Sequence, residues 1–495
     1  MYPASTAPYG QCIGRSGDKP DRARNQYLKS DGIMKKQNRI AFLNMLSTLL
    51  LRGLSIITSA IFSRLLGTNG YGVLSTYNVW VSVAAITGTL QTSGTLVNAR
   101  VEYPPEQQKA YQSSVMTLSL FSFLCCCVLV LIFLGPVSTL LEMQWYLIVL
   151  LLWHAFGSFC VNFLNSKFTY EFKAGRNLVL SLGVTLTTLA LSVGLILLMP
   201  ENLRYVGRIL GLAVTYGVLG IAVCAYILHS GKTFYKREYW RFCIALAIPV
   251  VFYSLSDLLL GHSDLVMVKK MLGDSKAGIY SLAYNFGSVL FSIFAALNNT
   301  WTPFFFEDMK QGNLDRVRFQ AKHFLELFTV LAMGFVLLTP EVYHWFAGQD
   351  FWEGTSLITL FATGFYLNFL CTFPVNFEYF HKKTKMVAAA TVTSCVLNIG
   401  LNYVFILRFG LAGAAAATVL SHTFQFGFHY CYTRYVLGKK NYPFGIRFWG
   451  KYAAAFAFAA VLVTVLPAAW LPRWGLGAAL GLWELWQIKK RKSIF

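Results

Sequence analysis

Charged residues are scarce in this 495-residue chain, 13% of positions against about 25% in ordinary soluble domains, and apolar residues reach 56%. That balance excludes a soluble globular fold, and the mean hydropathy of +0.52 agrees. Acidic residues are scarcer still, 21 against 42 Lys and Arg. The formal charge of +21 would suit nucleic acid, but the basic residues are scattered beside apolar runs. With no folded basic domain and no aromatic-basic module, no nucleic-acid partner is expected. The ten cysteines lack C-x-x-C spacing, and Cys125, Cys126 and Cys127 sit inside an apolar run, so neither a metal nor a redox centre is expected. Long polar loops are missing too, and no connecting segment gathers His, Asp and Glu. This counts against a membrane polysaccharide polymerase or ligase, which must hold carboxylates or metal ligands around the reacting sugar. The first 33 residues contain no apolar run, so no signal peptide is expected there. Residues 1–36 read as a disordered cytoplasmic tail, and Met34-Lys35-Lys36-Gln37 resembles a natural start.

What the chain has in abundance is apolar runs of helix-spanning length. Spans are expected near residues 40–63, 72–97, 114–135, 144–166, 177–199, 207–228, 244–269, 277–303, 323–340, 354–380, 386–407, 411–433, 447–466 and 472–488, the last only marginally long. Uninterrupted runs of this length cross lipid as helices, because a helix satisfies its own backbone hydrogen bonds. The expectation is an all-α integral membrane protein of about fourteen transmembrane helices. Counted from a cytoplasmic N-terminus, 33 Lys and Arg fall inside and 8 outside, among them Arg208 and Arg473, with Arg52 within the first span. By the positive-inside rule both termini are cytoplasmic in a multi-pass protein of the cell membrane. Lys167, Lys173, Arg176, Lys382, Lys383 and Lys385 are placed to meet anionic lipid on that face.

The chain also repeats itself. Arg64-Leu65-Leu66-Gly67 and Gly70-Tyr71-Gly72-Val73-Leu74-Ser75 return as Lys270-Met271-Leu272-Gly273 and Lys276-Ala277-Gly278-Ile279-Tyr280-Ser281, 206 positions later. The same offset pairs Asn162-Phe163-Leu164 with Asn368-Phe369-Leu370, Gly207 with Gly413 and Thr215 with Ser421. Six spans fit in the offset, an even number, so the copies enter the membrane from the same side. This divides the chain into the tail at 1–36, a six-helix lobe at 37–240, a second at 241–440, and an appended helix pair with a basic tail at 441–495. Duplicated halves of this kind suit a transporter whose path runs between them.

Polar residues inside apolar spans mark that path. Asn44, Thr48, Arg52, Ser55 and Ser59 share one face of the first span, and an arginine so deep in lipid is functional by default, although it could snorkel to an interface. Thr87, Gln91, Thr95 and Asn98 form a second stripe, and Asn285, Ser288, Ser292 and Asn299 its counterpart, unless these serve only as interhelical hydrogen bonds. Arg52, Asn44, Thr48, Ser55, Gln91, Asn285 and Asn299 are the candidate substrate-binding residues. Asp257 and Asp264, one to two turns apart in the seventh span, could take up a coupling H+ or Na+, or pair with Arg52 or Lys269. His262 reads as a packing histidine, and Glu326, Glu378 and His344 as span-end groups without chemistry. No other cofactor is expected.

The paired turn motif after an amphipathic first span resembles the polysaccharide transporter family, which includes Wzx-type oligosaccharide flippases within the multidrug, oligosaccharidyl-lipid and polysaccharide exporter superfamily. The likeness spans residues 37 to 434. It implies two bundles that open alternately, moving an undecaprenyl-pyrophosphate-linked oligosaccharide from the cytoplasmic to the outer leaflet. Polyprenyl-linked glycan, membrane lipid and polysaccharide polymerase or export machinery are the implied partners. Arg52 is then the candidate for the pyrophosphate, because a guanidinium stays charged and contacts two phosphate oxygens. Relatives that flip the peptidoglycan precursor carry several lumenal cations; with Arg52 alone at depth, the reading favours a neutral or variable glycan. A multidrug and cation antiporter of the same superfamily is the alternative, and the deep arginine argues against it.

Overall fold

The computed structural model describes residues 19–171, 173–437 and 442–491, with side chains described from Leu50 to Lys490 apart from Leu260. Contacts divide the chain into a unit of residues 1–49, helical from Lys19, and a unit of residues 50–495. Fourteen α-helices and no strand occur among the described residues. They are α1 Lys19–Gly88, α2 Leu96–Glu102, α3 Pro105–Ile132, α4 Leu134–Leu141, α5 Trp145–Tyr170, α6 Ala174–Leu198 and α7 Arg204–Gly231, followed by α8 Arg237–Leu272, α9 Asp274–Lys310, α10 Leu314–Phe346, α11 Thr355–Phe380, α12 Thr384–Cys431, α13 Ile446–Val465 and α14 Trp470–Arg491. Eleven helical stretches among the described residues are long and apolar enough to cross a membrane. Two of these, in α1 and α12, each hold two of the expected spans, and α14, the marginal one, falls short.

Glycine supplies both folds. The first and second spans run as one helical element bent back at Gly67, and the eleventh and twelfth at Gly410. Gly67 stands at φ 63°, ψ 180°, a region essentially closed to residues with a Cβ. Its offset partner Gly273, at φ 90°, ψ 172°, makes the same reversal between α8 and α9. The duplicated turns therefore share conformation as well as sequence.

The two turns also meet. A Cβ on Gly72 would stand 1.8 Å from the Asp274 carbonyl oxygen, and one on Gly278 would stand 2.0 Å from that of Thr68. Asp274 and Gly278 are the 206-offset partners of Thr68 and Gly72, so each turn presses its glycine against the same carbonyl of the other. A pseudo-two-fold axis passes between them. Thr68 and Ser275 share a hydroxyl hydrogen bond of 2.7 Å across the contact. Around it Arg64 donates to the Trp345 carbonyl, Lys276 pairs with Glu353 at 2.6 Å, and Lys269 pairs with Asp274 at 3.0 Å.

On one side of the axis α5 and α6 pack against α7; on the other α9 and α12 pack against α11. The largest core is aromatic and lies among α9, α10, α11 and α13, where Trp301, Phe324, Phe328, Phe369, Phe373 and Trp449 interlock. Ring pairs of this kind add about 0.5–1.5 kcal/mol beyond their buried area. The appended pair, α13 and α14, packs on α10. Arg473, counted among the outside cations, is buried: it binds Glu341 of α10 and donates to the carbonyls of Leu337 (3.1 Å) and Pro467 (2.7 Å), while the Trp474 indole donates to the other Glu341 oxygen.

Candidate functional site

Two joined chambers lie on the pseudo-two-fold axis. The smaller, about 250 Å³, is on the side of the paired turns; the larger is about 590 Å³; Gly261, His262, Asp264 and Tyr284 wall both. Their linings repeat at the 206 offset. Ser55 and Gly261, Thr58 and Asp264, Ser59 and Leu265, Ser75 and Ser281, and Asn78 and Tyr284 face each other's equivalents in the small chamber. Ser82 and Ser288, Phe159 and Phe365, and Asn162 and Asn368 do so in the large one. The cavity is thus built by both copies of the repeat.

Arg52 lies in a small recess that shares Ser55, Ser59 and Asn285 with the small chamber. Its guanidinium donates to the Ser288 hydroxyl and, at 3.4 Å, to the Asn285 carbonyl. Arg208 lines the small chamber itself, stacked 3.9 Å over the Phe62 ring and donating to Ser192 Oγ at 2.8 Å. The sequence counts Arg208 among the outside cations, at the edge of its span. It enters the cavity because α7 already begins at Arg204, so position 208 is one turn inside the helix. Arg52 is therefore not the only deep cation. In both arginines Nε is buried without a partner among the described residues, and neither faces a carboxylate in an ion pair.

Asp264 is 4% exposed and accepts from the Tyr280 hydroxyl at 2.6 Å and the Leu265 amide at 2.7 Å. Neither Arg52 nor Lys269 neutralises it, since Lys269 pairs with Asp274. Tyr280 in turn reaches Thr418, which accepts from Asn398 at 3.5 Å, and Asn398 accepts from Asn402 at 2.9 Å. A polar chain thus runs from the cavity wall into α12. Asp257 is exposed on the large chamber, and His262 packs edge-on to Tyr284 at 5.9 Å.

Of the other sequence candidates, Ser55 and Asn285 line the small chamber and Gln91 the large one. Asn299 is exposed and lines neither. The side chains of Asn44 and Thr48 lie outside the described residues. The expected helical stripe through Thr87, Gln91, Thr95 and Asn98 is interrupted, because the helix unwinds at Leu90 (φ 55°) and Gln91 (φ 45°) before resuming at Thr92. Thr95 is consequently turned away from the chamber, onto the Tyr111 hydroxyl at 2.8 Å. The run Thr92-Ser93-Gly94-Thr95 is the sequence signal for that break. Glu378, read as a span-end group, is fully buried and paired with His429 at 2.7 Å.

A twice-built helical membrane body around a polar cavity on its own pseudo-two-fold axis has the architecture of a two-lobed membrane transporter. The family described as polysaccharide biosynthesis protein matches residues 39–309, more than half of the chain, and the chain belongs to it. The family described as lipid II flippase MurJ matches residues 342–482. Two relatives from Haemophilus influenzae are each 22% identical: an uncharacterised membrane protein, of which the chain spans 49%, and a protein of the Lsg locus, matched over 68% of this chain and 83% of its own length. Among solved structures the lipid II flippase MurJ in an inward closed conformation superposes with a TM-score of 0.71 over 91% of this chain and 99% of its own, at 14% identity. An inward-facing multidrug MATE transporter superposes at 0.59 over 81% and 99%, also at 14% identity. The fold is that of the exporter superfamily which the paired turn motif resembles.

Proposed function

We propose that this protein flips an undecaprenyl-pyrophosphate-linked oligosaccharide from the cytoplasmic to the outer leaflet by alternating access. The observation that carries this reading is the pair of joined chambers, walled by both copies of the repeat and flanked by two guanidiniums with unpaired Nε donors. Sugar and pyrophosphate cannot cross hydrocarbon unaided, whereas a polar cavity between the halves can carry them while the polyprenyl tail stays in lipid. Arg52 and Arg208 offer planar, permanently charged donors to phosphate oxygens. Gln91, Ser55 and Asn285 offer neutral hydrogen bonds along the same wall.

The moving halves are residues 37–240 and 241–440, and 441–495 rides on the second through the Arg473–Glu341 contact. The paired turns then seal the outer end, and both termini lie in the cytoplasm of a cell-membrane protein. A proton or sodium ion taken up at Asp264, with Asp257 as the exposed alternative, couples the movement: a carboxyl held only by a hydroxyl and an amide can change its charge without breaking an ion pair. Polysaccharide polymerase or export machinery is the partner downstream.

Charge reversal, Arg52→Glu, is expected to abolish outward exposure of the lipid-linked glycan in cells and in vesicles while the protein still accumulates in the membrane. Undiminished flipping would remove Arg52 from the mechanism. A multidrug and cation antiporter is the second reading, favoured by the shared MATE fold and opposed by two guanidiniums at the cavity. Loss of drug efflux with intact surface polysaccharide in a deletion strain would decide for it.

A further inference from the structure

The echo of Asn162-Phe163-Leu164 in Asn368-Phe369-Leu370 does more than keep register. Phe163 and Phe369 are fully buried and belong to the packing of their own halves. Asn162 and Asn368 point the other way, onto the large chamber, from α5 and α11 on opposite sides of the axis. One turn earlier on each helix stands Phe159 or Phe365, again a pair at the 206 offset and again on the chamber wall. The motif therefore has a packing half and a cavity half, and both halves are duplicated.

Interhelical hydrogen bonding is the ordinary reason for an asparagine in a membrane span. It fails here, because neither carboxamide has a hydrogen-bond partner among the described residues. Each amide keeps two donors and two acceptor sites free. We infer that Asn162 with Phe159 and Asn368 with Phe365 form a two-sided saccharide clamp in the large chamber, one jaw from each half of the molecule. The inference rests on the flippase reading and names where the glycan sits.

The chemistry of the jaws selects the ligand class. A carboxamide gives and accepts hydrogen bonds at once, matching ring hydroxyls, while Phe159, 2% exposed, and Phe365, 9% exposed, back the amides as the floor of each jaw. A cationic drug would call for accessible paired carboxylates; of the two on the chamber wall Asp257 is exposed, while Asp264 is 4% exposed and held by the Tyr280 hydroxyl and the Leu265 amide. The volume of about 590 Å³ falls within the range of small-ligand sites, about 300–1,000 Å³. Because the jaws belong to opposite halves, a rocking motion that separates the halves also releases the sugar.

The test measures binding to the purified full-length protein of two probes, undecaprenyl pyrophosphate alone and the same lipid carrying a neutral trisaccharide. The parent is expected to prefer the sugar-bearing lipid about tenfold or more, roughly the worth of one or two hydrogen bonds. The double variant Asn162→Ala, Asn368→Ala is expected to lose that preference while its affinity for the bare lipid stays at the parent value, which also certifies its fold. A double variant that keeps the preference, or a parent without one, overturns the clamp and leaves the flippase reading standing. Failure of both lipids to bind the parent overturns the clamp together with the reading beneath it.

Discussion

A guanidinium in apolar surroundings persists only where something replaces its water, and three arginines of this chain do so differently. Arg473 is fully satisfied by Glu341 and backbone carbonyls, which makes it a structural staple. Arg473→Met leaves the partly exposed Glu341 carboxylate with the Trp474 indole as its remaining donor and is expected to cost about 1–3 kcal/mol. Adding Glu341→Gln should recover part of that loss, as read from unfolding temperatures of the two variants in detergent. Arg52 and Arg208 are only partly satisfied, which is why they are assigned to a ligand. Asp264→Asn keeps an acceptor for Tyr280 but cannot change its charge. In vesicles its flipping is expected to ignore an imposed proton or sodium gradient that accelerates the parent, and an undiminished response would move the coupling role to Asp257. The sequence exposed Arg52 because it sits mid-span, yet hid Arg208, because a cation at the edge of a span reads as an interface charge until the helix is seen to begin a turn earlier, at Arg204. Arg473 was hidden for a different reason, a tertiary partner 132 positions away.

Every expected span falls on an observed helix, α1 and α12 holding two each, since hydrophobic length alone dictates a helix in lipid. What hydropathy could not show is where a helix yields. Leu90 and Gln91 occupy left-handed backbone in the middle of the second span, whereas their offset partners Ala296 and Leu297 remain inside α9. The copies differ here although the register between them is intact. A β-branched residue at positive φ is strained, at a cost of about 1–3 kcal/mol. Leu90→Val is therefore expected to speed amide exchange over residues 89–95, and Leu90→Gly to leave that exchange close to the parent's. Equal exchange in the valine variant would mean that the unwound turn carries no strain.

At the scale of the molecule the duplication explains both the cavity and the contact of the paired turns, because each lies on the axis relating the copies. The constant offset of 206 was readable in the sequence, and so was the equivalence of the two turns. Their direct contact was not, since nothing in either motif says that it packs against its twin. Gly72→Ala and Gly278→Ala place a methyl group on equivalent carbonyls, at 1.8 and 2.0 Å before relaxation. Both are expected to push the turns apart and raise the labelling of a cysteine at position 68 by a membrane-impermeant thiol reagent, to a similar degree. The account stands or falls on whether this contact must open. Thr68 and Ser275 share a 2.7 Å hydroxyl contact across it, so the variant Thr68→Cys, Ser275→Cys can be cross-linked there by oxidation. Flipping of lipid-linked glycan in vesicles should stop on oxidation and return with reductant, while each single-cysteine variant continues throughout. Undiminished flipping by fully cross-linked protein would contradict the account.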